Sequence, residues 1–145
     1  MTFDKTINKT IEITAPVSRV WEALTNPEVM KRWIWESEMT ITSDWKVGSP
    51  ITFAGKFYKT NYTDKGTILK FEKENVFSYS YWGRLSQLPD SPENYTVIEF
   101  ALSANENKTI LTLTQSNCIT YEIYAHWNFY WLVTLDMFRK LVEKG

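Results

Sequence analysis

The end of the chain constrains the fold most. Ile123, Trp127, Trp131, Leu135, Phe138 and Val142 recur at steps of three and four residues. That period aligns side chains along one face of an α-helix. It predicts a long amphipathic helix over roughly Tyr121–Glu143. A face this rich in rings must be buried against another apolar layer.

The middle of the chain supplies that layer. Segments near Ser37–Ser43, Pro50–Tyr58, Thr67–Glu72, Val76–Trp82, Tyr95–Ala104 and Thr109–Ser116 are rich in β-branched and aromatic residues. Turn-forming clusters separate them: Lys46-Val47-Gly48-Ser49, Thr63-Asp64-Lys65-Gly66, Lys73-Glu74-Asn75 and Asn105-Glu106-Asn107. Strands joined by such short connections pair antiparallel. In one segment Phe77, Tyr79 and Tyr81 share a parity against Ser78 and Ser80; in another Ile51, Phe53 and Phe57 oppose Thr52, Ala54 and Lys56. One sheet face is therefore expected to be aromatic and covered, the other solvated.

An N-terminal strand is expected over Ile7–Thr14, with Ile7, Ile11 and Ile13 inward and Ala15-Pro16 ending it. Two short helices follow. Val17, Val20, Trp21 and Leu24 form the apolar face of Pro16–Leu24, and Met30, Trp33 and Ile34 that of about Pro27–Trp35. Between them, Asn26 suits an N-cap and Pro27 a first helical position.

Charge and composition exclude several functions. Sixteen basic residues against 17 acidic ones give a net charge of -1, with no basic surplus for a nucleic acid. One histidine and one cysteine preclude a disulfide framework and a Cys/His zinc site. The five glycines form no phosphate-binding loop, so no nucleotide cofactor is expected, nor any other. The longest apolar run, Phe129–Val133, falls far short of the ~20 residues that span a membrane. The opening MTFDKTINKT has no apolar signal region. The lone thiol fits a reducing compartment, and a cytoplasmic location is expected. With no repeat and no linker, residues 1–145 are read as a single domain.

Four stretches carry a family resemblance. Ala15-Pro16-Val17-Ser18-Arg19-Val20-Trp21-Glu22-Ala23-Leu24-Thr25-Asn26-Pro27-Glu28 resembles the opening signature of the SRPBCC (START/Bet v 1-like) superfamily. More narrowly, it is similar to the group named for the activator of Hsp90 ATPase. Met30-Lys31-Arg32-Trp33 matches the end of the family's second helix. Asp44-Trp45-Lys46-Val47-Gly48-Ser49 matches its aromatic-x-Val-Gly-Gly turn, with Ser49 in place of the second glycine. Trp131, Leu135 and Phe138 match the spine of its last helix.

The resemblance implies an α+β helix-grip fold. Two short helices follow the first strand, and a seven-stranded antiparallel sheet curves around the long C-terminal helix with a cavity between them. In that superfamily the cavity commonly takes apolar or amphipathic small molecules; some members are cyclases, dehydratases or hydrolases. The group's name adds a chaperone, Hsp90, as an alternative partner. Two departures stand out: Gln115 where many relatives carry histidine, and a long polar loop from Gly83 to Asn94 that bears on pocket access.

Aromatic residues are the strongest candidates for function. They make up 16% of the chain. The expected cavity set is Phe53, Phe57, Tyr79, Tyr81, Trp127, Tyr130, Trp131, Thr134, Leu135 and Phe138. Tyr79 and Tyr81 bring hydroxyls to a face that a plain core would fill with Phe or Leu, and buried hydroxyls need partners. Catalytic alternatives are thinner. Cys118 reads as a small buried residue at a strand end, and His126 as a group beside the helix's buried face. Glu99 and Asp136 fall on the solvated sides of their elements. No catalytic residue is assigned. The expected function is non-enzymatic binding of a small hydrophobic or aromatic ligand. The alternatives are an Hsp90-related interaction domain or a cyclase- or hydrolase-type enzyme, which would need two ionisable groups meeting in the cavity.

Overall fold

The computed structural model describes residues 3–34, 39–57, 60–83 and 86–144, with the Phe57 side chain excepted. Strand β1 (Lys5–Ile13) leads to helices α1 (Val17–Thr25) and α2 (Pro27–Trp33). Strands β2 (Thr40–Ser43), β3 (Pro50–Phe57), β4 (Thr60–Glu72), β5 (Val76–Tyr81), β6 (Thr96–Asn105) and β7 (Lys108–Cys118) follow, then helix α3 (Tyr121–Lys144). Trp35, Ser37, Glu38, Tyr58, Arg84 and Leu85, which fall in expected helix, strand and loop segments, lie outside the described residues.

The strands form one seven-stranded antiparallel sheet in the order β1-β7-β6-β5-β4-β3-β2. It curves around α3, as in the α+β helix-grip fold. Among the described residues, no helix is long and apolar enough to cross a membrane.

Local chemistry accounts for the elements that set the shape. Asn26 joins α1 to α2. Its side-chain oxygen accepts from the Glu28 N–H at 3.0 Å and its amide donates to Glu22 at 2.6 Å. Pro27 then takes the first helical turn, where its missing N–H costs nothing. The Trp33 indole donates to the Ala23 carbonyl at 2.9 Å, and its ring meets Phe138 edge-on at 5.1 Å. The short helices are thereby fixed to each other and to α3.

On α3, Ile123, Trp131, Thr134, Leu135, Phe138 and Val142 are buried. Trp127, on the same stripe, is only half-buried. The inward stripe therefore opens at the N-terminal half of the helix.

Two expectations about the sheet are corrected. The cluster Thr63-Asp64-Lys65-Gly66 is not a turn; it lies inside β4. Tertiary pairing overrides its local turn chemistry. The Lys65 N–H donates to the Trp82 carbonyl at 2.9 Å, and the Trp82 N–H returns the bond at 2.8 Å. Gly66 is required by contact: a Cβ there would overlap the Ser80 carbonyl oxygen.

Ser78, expected on the solvated face, is 1% exposed. It sits between Lys70 on β4 and Glu99 on β6, whose side chains form an ion pair at 3.0 Å across the strand that carries it. The long charged side chains cover the small one.

Candidate functional site

Between the sheet and the N-terminal half of α3 lies a cavity of about 290 Å³. Phe53 (β3), Tyr62 and Asp64 (β4), Tyr79 and Tyr81 (β5), and Thr96 and Ile98 (β6) form its sheet wall. Ile123, Trp127, Tyr130 and Trp131 of α3 face them, and Glu122 and His126 stand exposed at the rim. Trp82, Gly83, Ser86 and Asn94 of the connection after β5 border it, with Ile34 and Met39.

The ten residues anticipated from the sequence divide into groups. Phe53, Tyr79, Tyr81, Trp127, Tyr130 and Trp131 line the cavity together. Their rings form a contact chain: Phe53 to Tyr79 and Tyr81 at 5.7 Å each, Tyr81 to Trp127 at 5.2 Å, and Trp127 to Tyr130 at 4.9 Å. Thr134, Leu135 and Phe138 lie beyond Trp131 on α3, buried in the packed core and not on the cavity wall. The side chain of Phe57 lies outside the described residues.

Two polar constructions hold this site. At its floor the Trp131 indole N–H donates to Gln115 Oε1 at 2.7 Å. The Gln115 amide donates to the Thr96 hydroxyl at 3.0 Å, and Thr96 donates to the Tyr81 carbonyl at 3.4 Å. Gln115 is wholly buried. A side-chain amide meets both demands, accepting at one end and donating at the other.

On the wall, the Tyr81 phenol donates to Asp64 Oδ2. Burial, followed by the adjacent Asp64 carboxylate, raises the Tyr81 phenol well above its ordinary value. Burial and neighbouring Tyr130 raise the Tyr79 phenol as well. Both stay protonated across the physiological range, so each keeps a proton with which it can donate a hydrogen bond.

Sequence reasoning misses Asp64 because its neighbours Lys65 and Gly66 read as a turn. Its parity with Ile68, on the inward face of β4, is the signal that could have found it. Gly83 makes room for it, since a Cβ there would lie 2.8 Å from the Asp64 Cγ.

The loop after β5 is tied down beside the opening. The Trp82 indole donates to the Leu88 carbonyl at 3.1 Å. Asn117 donates to the carbonyls of Glu93 and Tyr95 at 3.0 and 2.8 Å. Asp90 accepts from Tyr95 at 2.6 Å and pairs with Lys65. The Lys65 and Tyr95 bonds hold the Asp90 carboxyl below its ordinary range.

The remaining candidates sit elsewhere or are chemically quiet. Cys118 is buried, its Sγ 3.7 Å from the Gln115 carbonyl, and burial pushes its thiol up to about 11. His126 packs at the cavity edge against Trp127 and Tyr130, and desolvation lowers its pKa. No hydrogen bond joins Cys118 to His126 among the described residues. Asp136 is exposed and paired with Arg139 and Lys140 at 2.7 and 2.9 Å, which holds its carboxyl low.

Comparisons with known proteins agree with this architecture. The solution structure of ChR145 from Cytophaga hutchinsonii superposes with a TM-score of 0.84 at 36% identity, covering 99% of this chain and 97% of that one. The Aha1 dimer from Colwellia psychrerythraea gives 0.75 at 27% identity, over 97% and 99% of the two chains. CalU16 from Micromonospora echinospora gives 0.73 at 21% identity, over 96% and 76%, a likeness of fold alone. No curated protein matches. The family model described as activator of Hsp90 ATPase homolog 1-like protein matches residues 14–143, and the chain belongs to that family.

Proposed function

We propose that this chain binds a small, largely aromatic or apolar molecule in the cavity between the sheet and α3, without converting it chemically. One observation carries the reading. Eight aromatic side chains (Phe53, Tyr62, Tyr79, Tyr81, Trp82, Trp127, Tyr130 and Trp131) surround a space of about 290 Å³. This is close to the lower end of the ~300–1,000 Å³ of small-molecule sites, which are mostly apolar with a few convergent polar groups. Asp64, Tyr79 and Tyr81 are those groups, and they favour a ligand with one polar substituent on a flat apolar body.

The Tyr81–Asp64 pair is also where two ionisable groups meet on the cavity wall. The raised phenol pKa favours binding over proton transfer, because an acid so weak gives up its proton reluctantly near neutral pH. A chaperone partner rests on the family's name alone. A single domain over residues 1–145, in the cytoplasm, completes the reading.

A thermal-shift and NMR screen with planar aromatics and fatty acids tests it. Saturable binding of an aromatic probe, with protection of the fold against heat, is expected. Absence of any saturable binder overturns it.

A further inference from the structure

The face of α3 turned away from the sheet carries large apolar side chains in the open. Phe129 is 67% exposed, Tyr121 65% and Leu132 62%. With Ala125 they form a row at three- and four-residue steps, flanked by Glu122 at one end and by Asp136, Arg139 and Lys140 at the other. Scattered exposed apolar residues are ordinary on a protein surface; a row along one helix is a candidate interaction surface.

We propose that this face docks a second copy of the chain as an antiparallel pair of α3 helices. The sequence of the face is matched to itself under a two-fold axis, as an isologous interface requires. With the axis between Phe129 and Leu132, Phe129 of each copy meets Leu132 of the other. The same operation brings Glu122 opposite Arg139 and the Tyr121 ring opposite Lys140. The apolar centre is thus bounded at both ends by opposite charges or a cation–ring pair. Arg139 already bonds Asp136 at 2.7 Å and Glu143 at 3.2 Å. A guanidinium has five donors, and Glu122 can engage those remaining.

The charges also argue for a copy of this chain over a lipid surface. Anionic membranes attract clusters of lysine and arginine. Here Arg139, Lys140 and Lys144 are matched on the same helix by Glu122, Asp136 and Glu143. The net charge of -1 puts little repulsion between two copies.

The area sets the strength. A helix of 24 residues is about 36 Å long, and one such face buries less than the ~800 Å² per partner of a standard stable interface. The dimer is therefore weak and dependent on concentration.

Sedimentation equilibrium of the full chain over a wide concentration range is the test, with vesicles of neutral and anionic lipid as a parallel arm. A reversible monomer–dimer equilibrium is expected, lost in Phe129→Glu and in Leu132→Glu while their melting stays that of the parent. Glu122→Arg and Arg139→Glu should each weaken the dimer roughly tenfold, and the two combined should restore it, which a dimer built elsewhere would not do. A monomer at all concentrations, a dimer indifferent to Phe129→Glu, or vesicle binding by a monomer that Phe129→Glu abolishes would overturn the proposal.

Discussion

Trp131 donates its indole N–H to Gln115 Oε1 at 2.7 Å, and this bond ties α3 to β7 under the floor of the cavity. Trp131 is 2% exposed and Gln115 is wholly buried. Gln115→Leu strands the Trp131 N–H and removes the donor to Thr96. The expected loss is about 2–3 kcal/mol in urea unfolding, since each orphaned buried group costs about 1–3 kcal/mol. Adding Trp131→Phe to Gln115→Leu should cost less than the sum of the two single changes, because the stranded donor leaves with the indole. Strict additivity would show that the bond does not couple the two elements.

Tyr79 and Tyr81 should ionise well above the ordinary phenol range in an absorbance titration. Burial is the first cause for both, with Tyr130 assisting at Tyr79 and Asp64 at Tyr81. A pKa raised in the folded state means that the native protein holds those protons more tightly than the unfolded chain. Their contribution is complete below about 10, the unfolded phenol value, and is lost as the pH rises through the folded values. Stability should therefore fall above that pH, and fall less steeply in Tyr79→Phe. An unchanged slope would contradict the assignment.

Cys118 should be nearly inert to thiol reagents. Burial, with Asp4 adding to it, pushes its pKa from 9.0 up to about 11. The thiolate fraction at pH 8 is then about a hundredfold below that of an ordinary cysteine. Labelling in native buffer should be slow and become fast only in denaturant.

Thr134 offers a stabilising substitution. It is wholly buried, and its hydroxyl has no hydrogen-bond partner among the described residues. Thr134→Val keeps the shape and removes the polar atom. Stability should be unchanged or higher by up to about 1 kcal/mol, read from thermal or urea melts. A loss of more than about 1 kcal/mol would mean that the hydroxyl is satisfied.

Periodicity makes the large features legible. The three- and four-residue step gives α3 its inward face, and the alternation of Phe77, Tyr79 and Tyr81 sets three rings on one side of β5. It cannot say where along α3 the cavity ends. Trp131 lines open space, whereas Leu135 and Phe138, on the same stripe, pack into the core, because α2 and its Trp33 fill that end. Asp64 is hidden by local turn chemistry that pairing with Trp82 overrides. The bonds from Trp131 through Gln115 to Thr96 join α3, β7 and β6, and no spacing within one element reveals them. The burial of Ser78 is hidden for a similar reason: its cover is an ion pair between the two neighbouring strands.

The proposed occupant of the space between the sheet and α3 is an aromatic molecule. Titration with 2-naphthol, followed through the indole N–H signals in proton–nitrogen NMR, tests it most directly. The prediction is saturable shifts for Trp82, Trp127 and Trp131, which line the cavity, while Trp21, Trp33 and Trp45 stay still. Titration that leaves the first three unmoved, or moves all six alike without saturation, would contradict it.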